Sequence, residues 1–145
     1  MTIIIGSDHG GYVYKTRLIE DLKTHGYDTI DVGANDENAS DYPIFARKVA
    51  ELVQKDENSL GVILCTSGEG VTMTANKVKG IRCGIGYNDE VAASIREHNH
   101  ANMIAFGAKF MEYEDVLRRI IIFINTPEAG GRHDRRVALI NELDN

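Results

Sequence analysis

Five short apolar runs recur along the chain, and each has the length and composition of a β-strand. They are rich in β-branched residues, and their nearly continuous apolar character is typical of strands that are buried on both faces of a sheet. The runs cover residues 2–6, 28–33, 60–65, 81–86 and 102–107. We therefore predict five strands that lie between two layers of other structure.

Stretches with helical length and period separate these runs. They cover residues 14–26, 43–56, 71–80 and 89–99. Strands that alternate with helices form βαβ units, and the right-handed crossovers of such units make the strands parallel. The pattern predicts a doubly wound α/β domain.

Two more helices are predicted after the fifth strand, at residues 114–125 and 134–145, on either side of the break TPEAGG. No strand follows the last of them. That helix either caps its own domain or packs on a second subunit, and the pattern leaves both open.

The composition is that of a soluble globular protein with a single domain, residues 1–145, in which 43% of the residues are hydrophobic and 26% are charged. No apolar run is long enough to span a membrane, and the start of the chain lacks the features of a signal peptide, which favours a cytoplasmic protein. The net charge of −6 argues against general nucleic-acid binding. Any anion site must therefore be local.

The stretch CTSGEG, residues 65–70, follows the third predicted strand and opens a helix. Ligands of open parallel sheets bind at the carboxyl ends of the strands, where unpaired N–H groups of a helix start can face an anion. A helix start also stabilises a thiolate, so Cys65 is a candidate nucleophile or base. A tight turn with a buried thiol is the plainer alternative. The stretch is neither a P-loop nor a dinucleotide fingerprint.

Cys83 lies inside a predicted strand and is interpreted as core packing. The two cysteines have no CxxC spacing, which argues against a disulfide framework or a zinc site. His98 and His100 in REHNHAN are spaced like metal ligands, but no further ligand cluster accompanies them, so capping is the simpler interpretation of such a helix-terminal histidine. In SDHGG, Asp8 and His9 either form a helix N-cap or orient a hydroxylated ligand.

The stretch GGRHDRR, residues 130–136, concentrates three arginines at the start of a helix. Positive charge opposes the helix dipole at that end, so a bound anion would compensate for it, and guanidinium groups match phosphate oxygens. A solvated helix start is the alternative. With a reactive turn elsewhere, this cluster favours a small phosphorylated metabolite as the ligand.

Seven stretches together resemble the type B ribose-5-phosphate isomerase family, which includes galactose-6-phosphate isomerase relatives. The stretches are SDHGG, DYP, CTSGEG, ANKVKGIR, REHNHAN, AFGAK and GGRHDRR, and the resemblance runs from residue 3 to about residue 140. It implies a Rossmann-like three-layer α/β/α domain with a five-stranded parallel sheet and an extra C-terminal helix. It also implies a homodimer or tetramer with active sites between subunits, and no metal or nucleotide cofactor.

The resemblance implies that an aldose phosphate and a ketose phosphate interconvert through an enediolate. Cys65 would be the base, and Ser67 with the turn amides of Gly68 and Gly70 would stabilise the enediolate oxygens. His98 would open the sugar ring with help from Tyr42. The substrate-binding positions carried over are Asp8, His9, Tyr42, Gly68, Gly70, Asn99, Lys109, Arg132 and Arg136. His9 and the two arginines would hold the phosphate, and a site between subunits allows the arginines to come from the other subunit. His100 and Arg135 receive no role and are expected at the surface.

Three positions depart from the family pattern. Thr66 stands where glycine is common, Glu69 replaces a residue that is often apolar, and Lys109 replaces an arginine. Thr66 and Glu69 leave open a noncatalytic sugar-phosphate sensor as an alternative to a ribose 5-phosphate isomerase. An isomerase of a six-carbon sugar phosphate is a second alternative, because the length of the sugar depends on the depth of the pocket. A cysteine hydrolase is a third alternative, and it does not explain the arginines.

Overall fold

The computed structural model describes all residues, 1–145, as a sheet of five parallel strands with six α-helices. The strands are β1 (Thr2–Ser7), β2 (Asp28–Asp31), β3 (Ser59–Cys65), β4 (Cys83–Ile85) and β5 (Met103–Gly107). The α-helices are α1 (Tyr12–Thr24), α2 (Tyr42–Lys55), α3 (Glu69–Ala75), α4 (Asp89–Glu97), α5 (Tyr113–Asn125) and α6 (Arg132–Asn141). One-turn 3₁₀ helices lie at His9–Gly11 and Glu142–Asp144. The predicted α/β fold with a parallel sheet is confirmed.

The sheet has a hydrophobic core on each face, because successive side chains of a strand point to opposite sides. Ile3 and Ile5 pack with α1, α4 and α5 on one face, and Ile4 packs with α2 and α3 on the other. The molecule therefore has three layers, α/β/α.

The prediction that all five strands are buried on both faces is wrong for β2 and β4. The strand order is β2-β1-β3-β5-β4, so β2 and β4 are the edges of the sheet. Asp28 and Asp31 of β2 are exposed, and all three residues of β4 are half-buried. Only the three central strands have helices covering most of both faces.

The predicted helix at 71–80 is also shorter than expected, since α3 ends at Ala75. Asn76 then turns the chain towards β4 and bonds the backbone of Cys83 with both atoms of its side-chain amide. Cys83 packs against the core beside α3, and burial raises the pKa of its thiol to about 12. The interpretation of Cys83 as a packing residue agrees with this position.

The last helix, α6, contacts its own chain but leaves most of its surface uncovered. Asn141 accepts a hydrogen bond from Arg82, and Asp144 accepts one from the backbone of Gly80. Only Val137 of the helix is buried, whereas Leu139 and Ile140 are 56% and 44% exposed. None of the helices combines the length and apolar character that a bilayer span requires.

Candidate active site

The turns after β1 and β3 lie side by side at the carboxyl edge of the sheet. Helix α1 leaves β1 on one face of the sheet and α3 leaves β3 on the other, which makes this the switch point where doubly wound folds bind ligands. The backbone N–H of Asp8 donates to the carbonyl of Leu64, and Thr66 packs directly against Gly10. The SDHGG and CTSGEG turns therefore form one surface.

The CTSGEG turn folds back on its own cysteine. The N–H of Gly68 donates to Cys65 Sγ at 3.1 Å, which stabilises negative charge on the sulfur. Gly68 has a φ of 84°, a conformation that glycine adopts without strain. The N–H of Glu69 donates to Ser67 Oγ at 3.2 Å, and the Glu69 side chain is exposed to solvent.

Two backbone bonds attach this turn to the end of β5. Ala108 N–H donates to the Cys65 carbonyl at 2.9 Å, and Lys109 N–H donates to the Thr66 carbonyl at 3.1 Å. Lys109 is exposed and therefore lies beside the turn at the carboxyl edge. The turn is held between β1 and β5 and is positioned from both sides.

Asp8 and His9 lie on the other side of the same surface. Asp8 is buried and caps the first 3₁₀ helix by accepting a hydrogen bond from Gly10 N–H at 2.8 Å, as expected from the capping interpretation. His9 Nδ1 accepts from the backbone N–H of Ser40 at 3.1 Å, so a neutral His9 carries its proton on Nε2. The Nε2–H group is then a donor for a ligand anion.

Tyr42, the first residue of α2, lies against the start of α3. A methyl group at Gly70 would come within 2.5 Å of the Tyr42 ring, so only glycine allows this approach. Tyr42 remains 41% exposed. Eight of the predicted site residues therefore surround one surface: Asp8, His9, Tyr42, Cys65, Ser67, Gly68, Gly70 and Lys109.

The other four predicted site residues lie at the opposite end of the strands, where their amino ends are. Helix α4 runs antiparallel to the strands, and His98 follows its last residue, before the chain enters β5. The helix has nine residues and is about 13 Å long, which separates His98 from the carboxyl edge. Asn99 is exposed next to it, and Arg132 and Arg136 are exposed on α6.

The rings of His98 and His133 stack with their centroids 4.3 Å apart and their planes 10° from parallel. Loss of hydration lowers the pKa of His133 from its usual 6.5, and the neighbouring His98, Arg132 and Arg136 lower it further. This stack brings the start of α6 against the end of α4. One chain therefore carries two half-sites, and we call them the thiol half-site, with Cys65, and the arginine half-site, with His98.

The family model described as Ribose/Galactose Isomerase matches residues 3–140. This chain belongs to the ribose/galactose isomerase family. Ribose-5-phosphate isomerase B of Mycobacterium tuberculosis is 38% identical over 146 residues, which cover 99% of this chain and 90% of the relative.

Solved structures of the family superpose closely on this chain. Ribose-5-phosphate isomerase B of Clostridium thermocellum has a TM-score of 0.97 at 40% identity and covers 99% of this chain and 97% of its own. The Mycoplasma genitalium enzyme, solved with bound ribulose-5-phosphate, has a TM-score of 0.94 at 35% identity and covers 99% and 95%. The predicted membership of the type B ribose-5-phosphate isomerases is confirmed, and the chain is an aldose–ketose isomerase.

Sequence reasoning missed two histidines of this family member. His133 was not singled out, although its place between Arg132 and Asp134 puts it in the phosphate-binding candidate stretch. His100 was expected at the surface, but it is only 8% exposed. Its burial depends on a segment 28 residues later in the chain, so no local pattern indicates it. Arg135 is exposed as expected.

No group of three or more histidine, cysteine, aspartate or glutamate side chains is close enough together to hold a metal ion.

Proposed function

We propose that this chain interconverts ribose 5-phosphate and ribulose 5-phosphate through an enediolate, with Cys65 as the base. The observation that carries the proposal is the Cys65 sulfur held by the Gly68 N–H at 3.1 Å in a turn at the switch point of the sheet. A base for a carbon-bound proton must lie beside donors for the developing oxyanion. The CTSGEG turn supplies both.

In the aldose-to-ketose direction, the Cys65 thiolate removes the proton from C2 and leaves the electron pair in the enediolate. The hydroxyl proton on O2 of the enediolate moves to O1. The Cys65 thiol then returns its proton to C1, which regenerates the thiolate. Ser67 and the first-turn amide of Gly70, which has no partner within the helix, stabilise the oxygens. Gly68 acts on the sulfur, because its N–H is directed there.

Ring opening and phosphate binding use residues of both half-sites. His98 transfers the proton that opens the furanose ring, with Tyr42 assisting from the thiol half-site, and Asp8 and Asn99 hold sugar hydroxyls. The phosphate lies among cationic and N–H donors, which match its oxygens. These donors are His9, Lys109, Arg132 and Arg136.

A complete site needs a second copy of the chain, because the two half-sites lie at opposite edges of one sheet. A twofold axis that brings the arginine half-site of one copy to the thiol half-site of another creates two equal sites. Exposed apolar residues are available for such an interface on α3, after β5, on α6 and on the 3₁₀ helix that follows α6. They include Met73, Phe110, Leu139 and Leu143, which are 65%, 71%, 56% and 83% exposed. We therefore propose a homodimer as the active unit, alone or within a tetramer.

The test is the turnover of ribose 5-phosphate by the purified protein beside the Cys65→Ala variant. Loss of the base should lower kcat by about 10²–10⁴-fold, while inhibition by inorganic phosphate persists. Turnover by the Cys65→Ala variant at the wild-type rate would exclude Cys65 as the base. If the wild type turns over allose 6-phosphate or galactose 6-phosphate but not ribose 5-phosphate, the substrate is a six-carbon sugar phosphate. If it turns over none of the three, the protein is a sensor.

A further inference from the structure

His100 adopts a backbone conformation that its residue type disfavours. Its φ is 49°, in the left-handed region where a side chain with a Cβ atom is strained. The residue is nevertheless buried, at 8% exposure, between the end of α4 and the segment that precedes α6. Contacts of its side chain must offset the strain.

Those contacts all go to the segment that leads into the arginines. His100 Nδ1 lies 3.0 Å from a carboxylate oxygen of Glu128, and Nε2 lies 2.7 Å from the Ala129 carbonyl. The N–H of Ala129 donates to the Glu97 carbonyl at 2.9 Å, and Arg96 lies 3.5 Å from Glu128. We call these four contacts the Glu128 anchor.

Both ring nitrogens of His100 face acceptors of this segment, namely the Glu128 carboxylate and the Ala129 carbonyl. Asp134 of α6 lies 4.0 Å from Nε2. The ring therefore contacts both ends of residues 128–134.

The Glu128 anchor lies next to the phosphate-binding residues without including them. Two glycines separate Ala129 from Arg132, and Gly131 has a φ of 67° with open space around it. Nothing within those glycines restrains the direction in which α6 starts. The start of α6 is held by the anchor on one side and by the His98–His133 stack on the other, while Val137 and the Arg82–Asn141 hydrogen bond hold the rest of the helix.

We propose that His100 is a positioning residue, which through Glu128 and Ala129 holds Arg132 and Arg136 in register with His98 for binding of the substrate phosphate. The proposal rests on the proposed function of the arginine half-site. It assigns a role to a residue that touches neither the substrate nor the reacting atoms.

The test uses His100→Asn in the full-length protein. Asparagine tolerates a left-handed backbone but is too short to reach Glu128, so this variant removes the two anchor contacts of the His100 ring and keeps the backbone conformation. His25→Asn is the matched control, because His25 also ends a helix, α1, and bonds only the Asp21 carbonyl. Glu128→Gln removes the negative charge that faces His100 and Arg96, and it serves if His100→Asn fails to fold.

We expect the KM for ribose 5-phosphate and the inhibition constant of inorganic phosphate to rise about tenfold in His100→Asn and in Glu128→Gln. The kcat should change less than about threefold, since neither base nor ring-opening histidine is altered. The double variant should lose less than the sum of the two single variants, because both weaken the same His100–Glu128 contact. His25→Asn should match the wild type.

An unchanged KM and an unchanged phosphate inhibition constant, with only a loss of thermal stability, would reduce His100 to a structural residue and overturn the proposal. Additive effects in the double variant would also overturn it. If the wild type does not turn over ribose 5-phosphate, the proposed function fails, but calorimetric titration with inorganic phosphate still tests the anchor. Equal binding by the wild type and His100→Asn, or no binding by either, then contradicts it.

Discussion

Replacing Gly68 with alanine would test whether the conformation of the CTSGEG turn sets activity. Gly68 has a φ of 84°, and a methyl group there would lie 2.9 Å from the carbonyl carbon of Phe106 and 3.0 Å from the nitrogen of Gly107. Both atoms belong to the backbone of β5, so they cannot rotate away. The turn itself must shift.

The expected cost has two parts. A left-handed conformation costs a residue with a Cβ atom about 1–2 kcal/mol. Relieving the contact with the β5 backbone adds about 1–3 kcal/mol, as overpacking does elsewhere. The free energy of unfolding should therefore fall by about 2–5 kcal/mol. Displacement of the Gly68 N–H from Cys65 and of the Ser67 hydroxyl should lower kcat by about 10²–10³-fold, the effect of losing one oxyanion donor.

Gly26→Ala is the matched control, because Gly26 has a φ of 88° and no atom lies within 4 Å of the added methyl group. It should lose only the conformational part, about 1–2 kcal/mol, and keep its full kcat. Urea unfolding at one protein concentration and turnover of ribose 5-phosphate measure both effects. Equal losses of stability in the two variants, together with a wild-type kcat in Gly68→Ala, would refute the reasoning.

Two further predictions concern charged groups outside the turn. Lys15→Met should lower the free energy of unfolding by about 1–2 kcal/mol. Lys15 is buried, and its Nζ lies 2.8 and 2.9 Å from the two oxygens of Asp31. The loss stays small because the Asp31 side chain is 43% exposed, so water can replace the amine. A loss above about 4 kcal/mol in urea unfolding would mean that water does not reach Asp31. For His133, the folded protein holds the pKa below 6.5, so the unfolded chain binds more protons and stability falls as the pH drops through that value. His133→Gln should therefore lose less stability than the wild type between about pH 7.5 and pH 5.5, and equal losses would contradict the assignment.

The elements could be read from the sequence because their signals are local. Five nearly continuous apolar runs predicted all five strands, and helical periodicity between and after them predicted all six α-helices. The rule that ligands bind at the carboxyl ends of parallel strands selected the turns at Asp8 and Cys65, which the structure places side by side. The position of Cys65 at a helix start made it a candidate for chemistry, and the resemblance to the family supplied the role of Ser67.

What the sequence by itself determined was therefore the set of elements, the parallel sheet and the chemical groups at its loops. The tertiary structure alone decided the strand order, which made β2 and β4 the outer strands of the sheet. It also decided that some site residues lie at the carboxyl ends of the strands and the others at the amino ends. It also decided the burial of His100 against Glu128. Strand order and such contacts depend on pairing between residues that are distant in the chain, whereas propensity and periodicity report only on neighbours.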